Sequence, residues 1–341
     1  MENEENTSSD NLTIEFIESS DGDRDQSNHP VLLKSVQIVI VIISLIGIIG
    51  NVLTCRVVNK MAIKHGDTSG TGFMRWLCVA DLTSLLVRGI VRSGSACLNW
   101  NLEDRSVSYC KWLFVYSPVT TMTSIYCLIA LSVDRVIATW KPALYVQNSK
   151  SRHAFTTCII IHAASLILGS SMFFFARIED GVCGYYDIKG LPAEFTAIFA
   201  LSMSIGLFLL VPLVMLIVTT IMILFKIRGR ENSKGSRATR ERKEKEITRS
   251  LVSMTVSYCV IMMVAVALVV LGLKYRDSNS DVFRTMLELP HVVNNSIHFW
   301  LYILSSETFR KQLKTLLGIK QSSANHTAPE NTQGNSQNQQ H

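Results

Sequence analysis

Three sets of polar residues stand inside otherwise apolar runs of this 341-residue chain, and each could do chemistry. Asp81 follows Leu77-Cys78-Val79-Ala80, and Asn51, Ser124, Asn294 and Asn295 occupy middle positions of other apolar runs. A carboxylate ringed by hydroxyl and amide oxygens makes a cage for a small hard cation; a hydrated Asp81 bonded to the asparagines satisfies the same physics. Asp134 and Arg135 are adjacent at the end of a third run. There the arginine is either held by its neighbour and released on demand, or is an ordinary cation reaching for water. Arg88 and Arg92 are one helical turn apart and so share a face, while Glu288 brings the opposite charge from a distant run. With the hydroxyls of Ser117 and Thr121 they suit a ligand carrying both charges, or they neutralise one another.

The runs that must position these groups are long. Val36–Ile49, Cys158–Phe175, Ile198–Phe225 and Val252–Leu273 are nearly pure in apolar residues, within a chain that is 48% hydrophobic. A hydrocarbon layer of ~30 Å needs ~20 helical residues to cross it, and these blocks approach or reach that length. Lipid offers the backbone no hydrogen-bond partners, so each block must be a helix, and the weak period-two pattern argues against a β-barrel. Spans are expected at 32–58, 71–97, 108–140, 153–175, 193–227, 245–274 and 282–304, which makes a bundle of seven. The second, third and seventh are the least apolar and should face other helices or a watery cavity. An ionisable group at such depth costs at least ~2.5 kcal/mol, so Asp81 demands partners.

Lysine and arginine placement sets the orientation. The segment before the first span carries Glu2, Glu4, Glu5, Asp10, Glu15, Glu18, Asp21, Asp23 and Asp25 against a single cation, Arg24. The loop between spans five and six carries Lys226, Arg228, Arg230, Lys234, Arg237, Arg240, Arg242, Lys243 and Lys245. The N-terminus is therefore outside and the C-terminus in the cytoplasm. The net charge of +6 reports this topology, since a soluble nucleic-acid binder would not carry these apolar blocks. The acidic start lacks the basic region and short apolar core of a cleavable signal, so the first span is expected to serve as its own targeting signal.

Residues 1–31 are expected to be a disordered extracellular segment, with Asn6 and Asn11 in glycosylation sequons. Residues 32–304 form the bundle, 305–318 an amphipathic helix on the inner leaflet, and 319–341 a disordered tail. In that amphipathic helix Phe309, Leu313, Leu316 and Leu317 share a face, while Arg310, Lys311 and Lys314 stand beside anionic headgroups. Six of the eight cysteines lie within spans and read as small hydrophobes. Cys110 and Cys183 both fall on the oxidising outer side and read as a disulfide, against two unpaired thiols.

The chain resembles the rhodopsin-like G-protein-coupled receptors from about Ile46 to Leu317. Gly50-Asn51 resembles the start of the helix-one signature, and Leu77-Cys78-Val79-Ala80-Asp81 the helix-two LxxAD. Cys110-Lys111-Trp112 opens the third helix as in many peptide receptors, and Ser132 to Val136 followed by Lys141-Pro142 resembles its DRY end. Pro212 with Ile125, and Asn294 to Tyr302 with Phe309, resemble the helix-five proline pair and the NPxxY stretch. The resemblance implies an outer ligand cavity and a plasma-membrane location. It also implies a sodium ion at Asp81, Ser124 and Asn294, and a G-protein cleft that opens as helix six leaves Arg135. Arg135 and Tyr302 would then meet the G protein.

Several switch residues depart from that pattern. DRY reads Asp134-Arg135-Val136, and NPxxY reads His298-Phe299-Trp300-Leu301-Tyr302, without its proline. With Tyr258 in the usual phenylalanine place, CWxP falls on Met262 and Val264; helix four lacks its tryptophan, and Thr220 replaces the helix-five tyrosine. Ser117 stands where amine receptors carry aspartate, and Val292 where opsins carry the retinal lysine, which excludes both ligand classes. What is left is a receptor for an extracellular peptide, for a small charged metabolite or for an environmental chemical. Lys111, the outer loop around Cys183 and the charged outer residues favour the peptide. A receptor-shaped decoy that no longer couples is the rival. A seven-helix transporter would need inverted repeats and a carboxylate relay, and the chain has neither. No nucleophile triad, phosphate loop or metal-ligand cluster marks an enzyme, and His153, His162, His291 and His298 read as structural.

Overall fold

A computed structural model of the chain describes residues 30–179, 181–185, 206–207, 209–231, 238–274, 282 and 285–319. Residues 1–29, with Asn6 and Asn11, and residues 320–341 lie outside the described residues, as do residues 193–205 of the fifth span. The membrane-crossing helices are α1 (Pro30–His65), α2 (Ser69–Ser84), α3 (Val107–Trp140), α4 (Ser151–Ser170), α5 (Val211–Glu231), α6 (Ala238–Lys274) and α7 (Glu288–Ser305). The surface helix α8 (Glu307–Leu316) follows directly. Helix α1 packs on α2 and α7, α3 on α2, α4 and α5, and α6 on α5 and α7, which closes a ring through α3.

Among the described residues five helices are long and apolar enough to cross a membrane unaided: Val31–Lys64, Val107–Trp140, Ser151–Phe174, Val211–Arg228 and Thr248–Leu268. Helix α2 falls below that measure by length, 16 residues before its winding changes, and α7 because it carries Glu288, His291, Asn294, Asn295 and His298. Their polar groups turn into the bundle, while Ile42, Ile49, Ile160, Ile167, Val260 and Met263 face outward to lipid. The inner half of the core gathers Leu77, Ile125, Leu128, Leu216, Tyr258, Phe299 and Tyr302.

Two departures from the expected spans matter. Helix α6 begins at Ala238, seven residues ahead of the expected 245, because Arg240 to Glu246 are good helix formers that continue the helix beyond the hydrocarbon. Helix α2 runs on as a π-helix over Leu85–Gly94, a wider winding that is rare and concentrates at functional sites. Small residues set the approach of α1 to its neighbours. A Cβ at Gly50 would lie 2.9 Å from the Phe299 Cβ, and one at Gly47 would run into Ser296 and Leu85. Helix α7 runs without a break from Glu288 to Ser305, consistent with Phe299 in the place of the missing proline.

The outer face carries an antiparallel hairpin of β1 (Ala176–Glu179) and β2 (Val182–Tyr185), with Ile178 opposite Cys183. Cys183 is bonded to Cys110 at the start of α3, with the two Cα atoms 5.7 Å apart. At the inner face Ser306 caps α8 by accepting a hydrogen bond from the Phe309 amide at 3.1 Å. Phe309 is buried there, with Leu313 and Leu316 packed beside the core.

Candidate functional site

The polar residues of α2, α3 and α7 form three stations along the bundle axis. In the outer station the π-helix carries Arg88 and Arg92 towards α7. Arg88 donates through Nε to Thr121 Oγ1 at 3.1 Å and through Nη2 to the Ser117 carbonyl at 3.1 Å. Its Nη1 forms an ion pair with Glu288. Arg92 bonds the other Glu288 oxygen at 2.7 Å and forms a second ion pair, 3.0 Å, with Glu103. Two guanidinium groups therefore face two carboxylates, and Glu288 is clamped from both sides. Buried charges persist only when paired in this way. All five outer candidates, Arg88, Arg92, Ser117, Thr121 and Glu288, meet in this one cluster. Close to it, Ser117 Oγ and His291 Nδ1 are buried without a hydrogen-bond partner among the described residues.

The middle station centres on Asp81, which is fully buried. Ser124 Oγ donates to its Oδ1 at 2.5 Å, joining α3 to α2. His298 Nδ1 bonds its Oδ2 at 2.7 Å, joining α7 to α2. The asparagines turn elsewhere. Asn51 Nδ2 donates to the Asn295 carbonyl at 2.9 Å, Asn295 Nδ2 to Ser84 Oγ at 2.6 Å, and Asn294 Nδ2 to Asn295 Oδ1 at 3.5 Å. The expected network of Asn51, Asp81, Ser124, Asn294, Asn295 and Tyr302 is thus two separate chains of bonds, with the Tyr302 hydroxyl in neither. Asn294 makes no bond to Asp81, and a histidine read from the sequence as merely structural occupies the carboxylate.

The inner station holds Asp134 and Arg135. Arg135 Nη2 lies 2.9 Å from Asp134 Oδ2, so the arginine is held by its neighbour. Ser69 Oγ donates to Asp134 Oδ1 at 2.5 Å. Tyr145, from the short helix Pro142–Asn148 after α3, donates its hydroxyl to Asp134 Oδ2 at 3.2 Å and accepts from Arg135 Nη2 at 3.1 Å. Its ring also lies under the guanidinium, 5.7 Å from centroid to Cζ. Tyr145 thereby supplies the phenolic oxygen that Val136 lacks. Thr220 bonds Thr255 of α6 at 3.1 Å, and Tyr302 stacks on Phe309 with its hydroxyl buried and unbonded among the described residues.

Sequence reasoning missed His298, Ser69, Tyr145 and Glu246. Glu246 is buried at the inner end of α6, where its Oε2 accepts from Ser306 Oγ at 3.2 Å and from the Thr308 amide at 3.1 Å. The only hint in sequence was Asp81 itself, a buried carboxylate that must find a donor. Nothing in the local pattern named the residue that provides it.

The descriptor of the 7 transmembrane receptor (rhodopsin family) matches residues 50–298, from Gly50 of α1 to His298 of α7. The chain belongs to this family. It is a multi-pass receptor of the rhodopsin family, typical of the plasma membrane, and not an enzyme. Similar proteins include the somatostatin receptor type 5 of Bos taurus, 24% identical over 294 residues, covering 84% of this chain and 76% of that receptor. The somatostatin receptor type 4 of Rattus norvegicus is 24% identical over 307 residues, covering 89% and 78%. The somatostatin receptor type 2 of Sus scrofa is 22% identical over 286 residues, covering 81% and 75%.

Proposed function

We propose that this receptor binds an extracellular peptide in the outer half of its bundle and thereby activates a heterotrimeric G protein at its cytoplasmic face. The observation that carries the reading is the clamp of Arg88 and Arg92 on Glu288, which ties the π-helical continuation of α2 to α7. A ligand with a carboxylate and a basic side chain exchanges partners with this clamp, since each ligand charge replaces one of the same sign. The neighbouring Ser117 and His291 offer it further hydrogen bonds. The relatives named as receptors for somatostatin, a peptide, support the same ligand class.

Exchange at the clamp changes the mutual hold of α2, α3 and α7, and the consequence at the inner face is release of Arg135 from Asp134 and Tyr145. Activation is a shift of population, so the agonist acts only through tighter binding to the released state; a shift from 1:99 to 99:1 needs roughly 10⁴-fold preference. The membrane itself is the third partner, through the lipid-facing helices and α8.

The test is a cell line expressing G-protein activation sensors, challenged with peptides that carry both an acidic and a basic group. A response in the wild type that Arg135→Ala abolishes at equal surface expression is expected. Response only to small charged molecules would replace the peptide reading, and silence to every ligand with no basal signal would favour the decoy.

A further inference from the structure

The middle station has the partners of an ion site, and both oxygens of its carboxylate are already taken. Asp81 accepts from Ser124 on one oxygen and from His298 on the other, at 2.5 and 2.7 Å. With Asp81 ionised its oxygens only accept hydrogen bonds, and the His298 nitrogen facing Oδ2 is then the donor. A hard cation such as sodium takes oxygen ligands. At Oδ2 it would meet instead a nitrogen whose proton points at the same lone pairs.

None of the surrounding amides bonds Asp81 in the described structure. Asn294, expected as a ligand, directs its Nδ2 to Asn295, and Asn295 directs its own to Ser84. Asn51 donates its Nδ2 to the Asn295 carbonyl of α7. His298 is itself buried, so no swing into water frees the carboxylate while the helices stay packed. Its place in the chain is that of the asparagine opening the NPxxY stretch, so an oxygen-bearing side chain has been exchanged for a nitrogen donor.

We infer that in this receptor the His298 imidazole replaces the sodium ion, so that sodium neither binds at Asp81 nor stabilises the closed bundle. The residues present do not fit the ion that the family resemblance implies. The polar link between α2 and α7 is covalently part of the chain, and salt composition does not tune it.

The experiment follows thermal unfolding of the purified full-length receptor in lipid nanodiscs, with sodium chloride exchanged stepwise for choline chloride at constant ionic strength. The wild-type midpoint is expected to stay flat. His298→Asn restores an amide oxygen beside Asp81, and its midpoint is expected to rise by about 3 °C once sodium exceeds its dissociation constant tenfold. A saturable sodium-dependent rise in the wild type overturns the inference, and so does a folded H298N that ignores sodium. If H298N does not fold, the wild-type series decides alone, since it needs no ligand and no coupling.

Discussion

Gly70 of α2 lies directly against the guanidinium of Arg135, and a Cβ at this position would coincide with the end of the arginine side chain. The helix-two start therefore has room for the Arg135 side chain in this position only because residue 70 lacks a Cβ. Thr68 caps that start and fixes its path, with the Thr71 amide on the Thr68 hydroxyl and the Thr71 hydroxyl on the Thr68 amide. In Gly70→Ala the methyl group displaces Nη2 from Asp134 and Tyr145. Agonist-free G-protein activation is expected to rise about fivefold, equivalent to ~1 kcal/mol against the closed state. An unchanged basal signal at equal surface expression would show that this contact does not hold the switch.

Tyr145→Phe keeps the ring under Arg135 and removes the hydroxyl that Asp134 and Arg135 share. A net hydrogen bond of ~1 kcal/mol predicts a basal rise of at most about fivefold, with Tyr145→Leu raising it further through loss of the cation–π contact. Equal basal activity in both variants and the wild type would remove Tyr145 from the lock.

Arg88→Ala leaves Glu288 with one guanidinium instead of two and empties the bonds to Thr121 and Ser117. Breaking a buried pair from one side costs about 3–5 kcal/mol, so surface expression and the unfolding midpoint should both fall. The double variant Arg88→Ala with Glu288→Ala is expected to recover part of the loss. Additive losses in a double-mutant cycle would contradict the clamp.

Glu246→Gln weakens the acceptor that holds Ser306 and Thr308 at the amino end of α8. A carboxylate at a helix amino end contributes typically 0.3–1 kcal/mol, or roughly two- to fivefold in local opening. Amide exchange across Glu307–Leu316 should quicken by that factor, and unaltered exchange would mean that α6 does not anchor the surface helix.

The sequence made the bundle legible because the membrane is a severe solvent: only blocks of about 20 apolar residues cross it, and those blocks can be counted. Helix ends were less legible. The start of α6 at Ala238 depends on helix propensity outside the lipid, which hydropathy does not register. The outer cluster could be read because Arg88, Arg92 and Glu288 are too costly to leave unpaired. The middle station could not, since Asn51, Ser84, Asn294, Asn295 and His298 are all competent donors and only the packing of α1, α2 and α7 chooses among them. Tyr145 was hidden for a further reason: it lies in a loop helix ten residues past Arg135, where no periodicity links the two.

The central claim is that Arg135, once freed from Asp134 and Tyr145, engages a G protein and drives nucleotide exchange. The most direct measurement is exchange of guanine nucleotide on a purified heterotrimer by the receptor in nanodiscs, comparing wild type, Gly70→Ala and Arg135→Ala. The account predicts basal exchange above the protein-free rate for the wild type, faster exchange for Gly70→Ala, and none above background for Arg135→Ala. Equal exchange by all three folded proteins would contradict it.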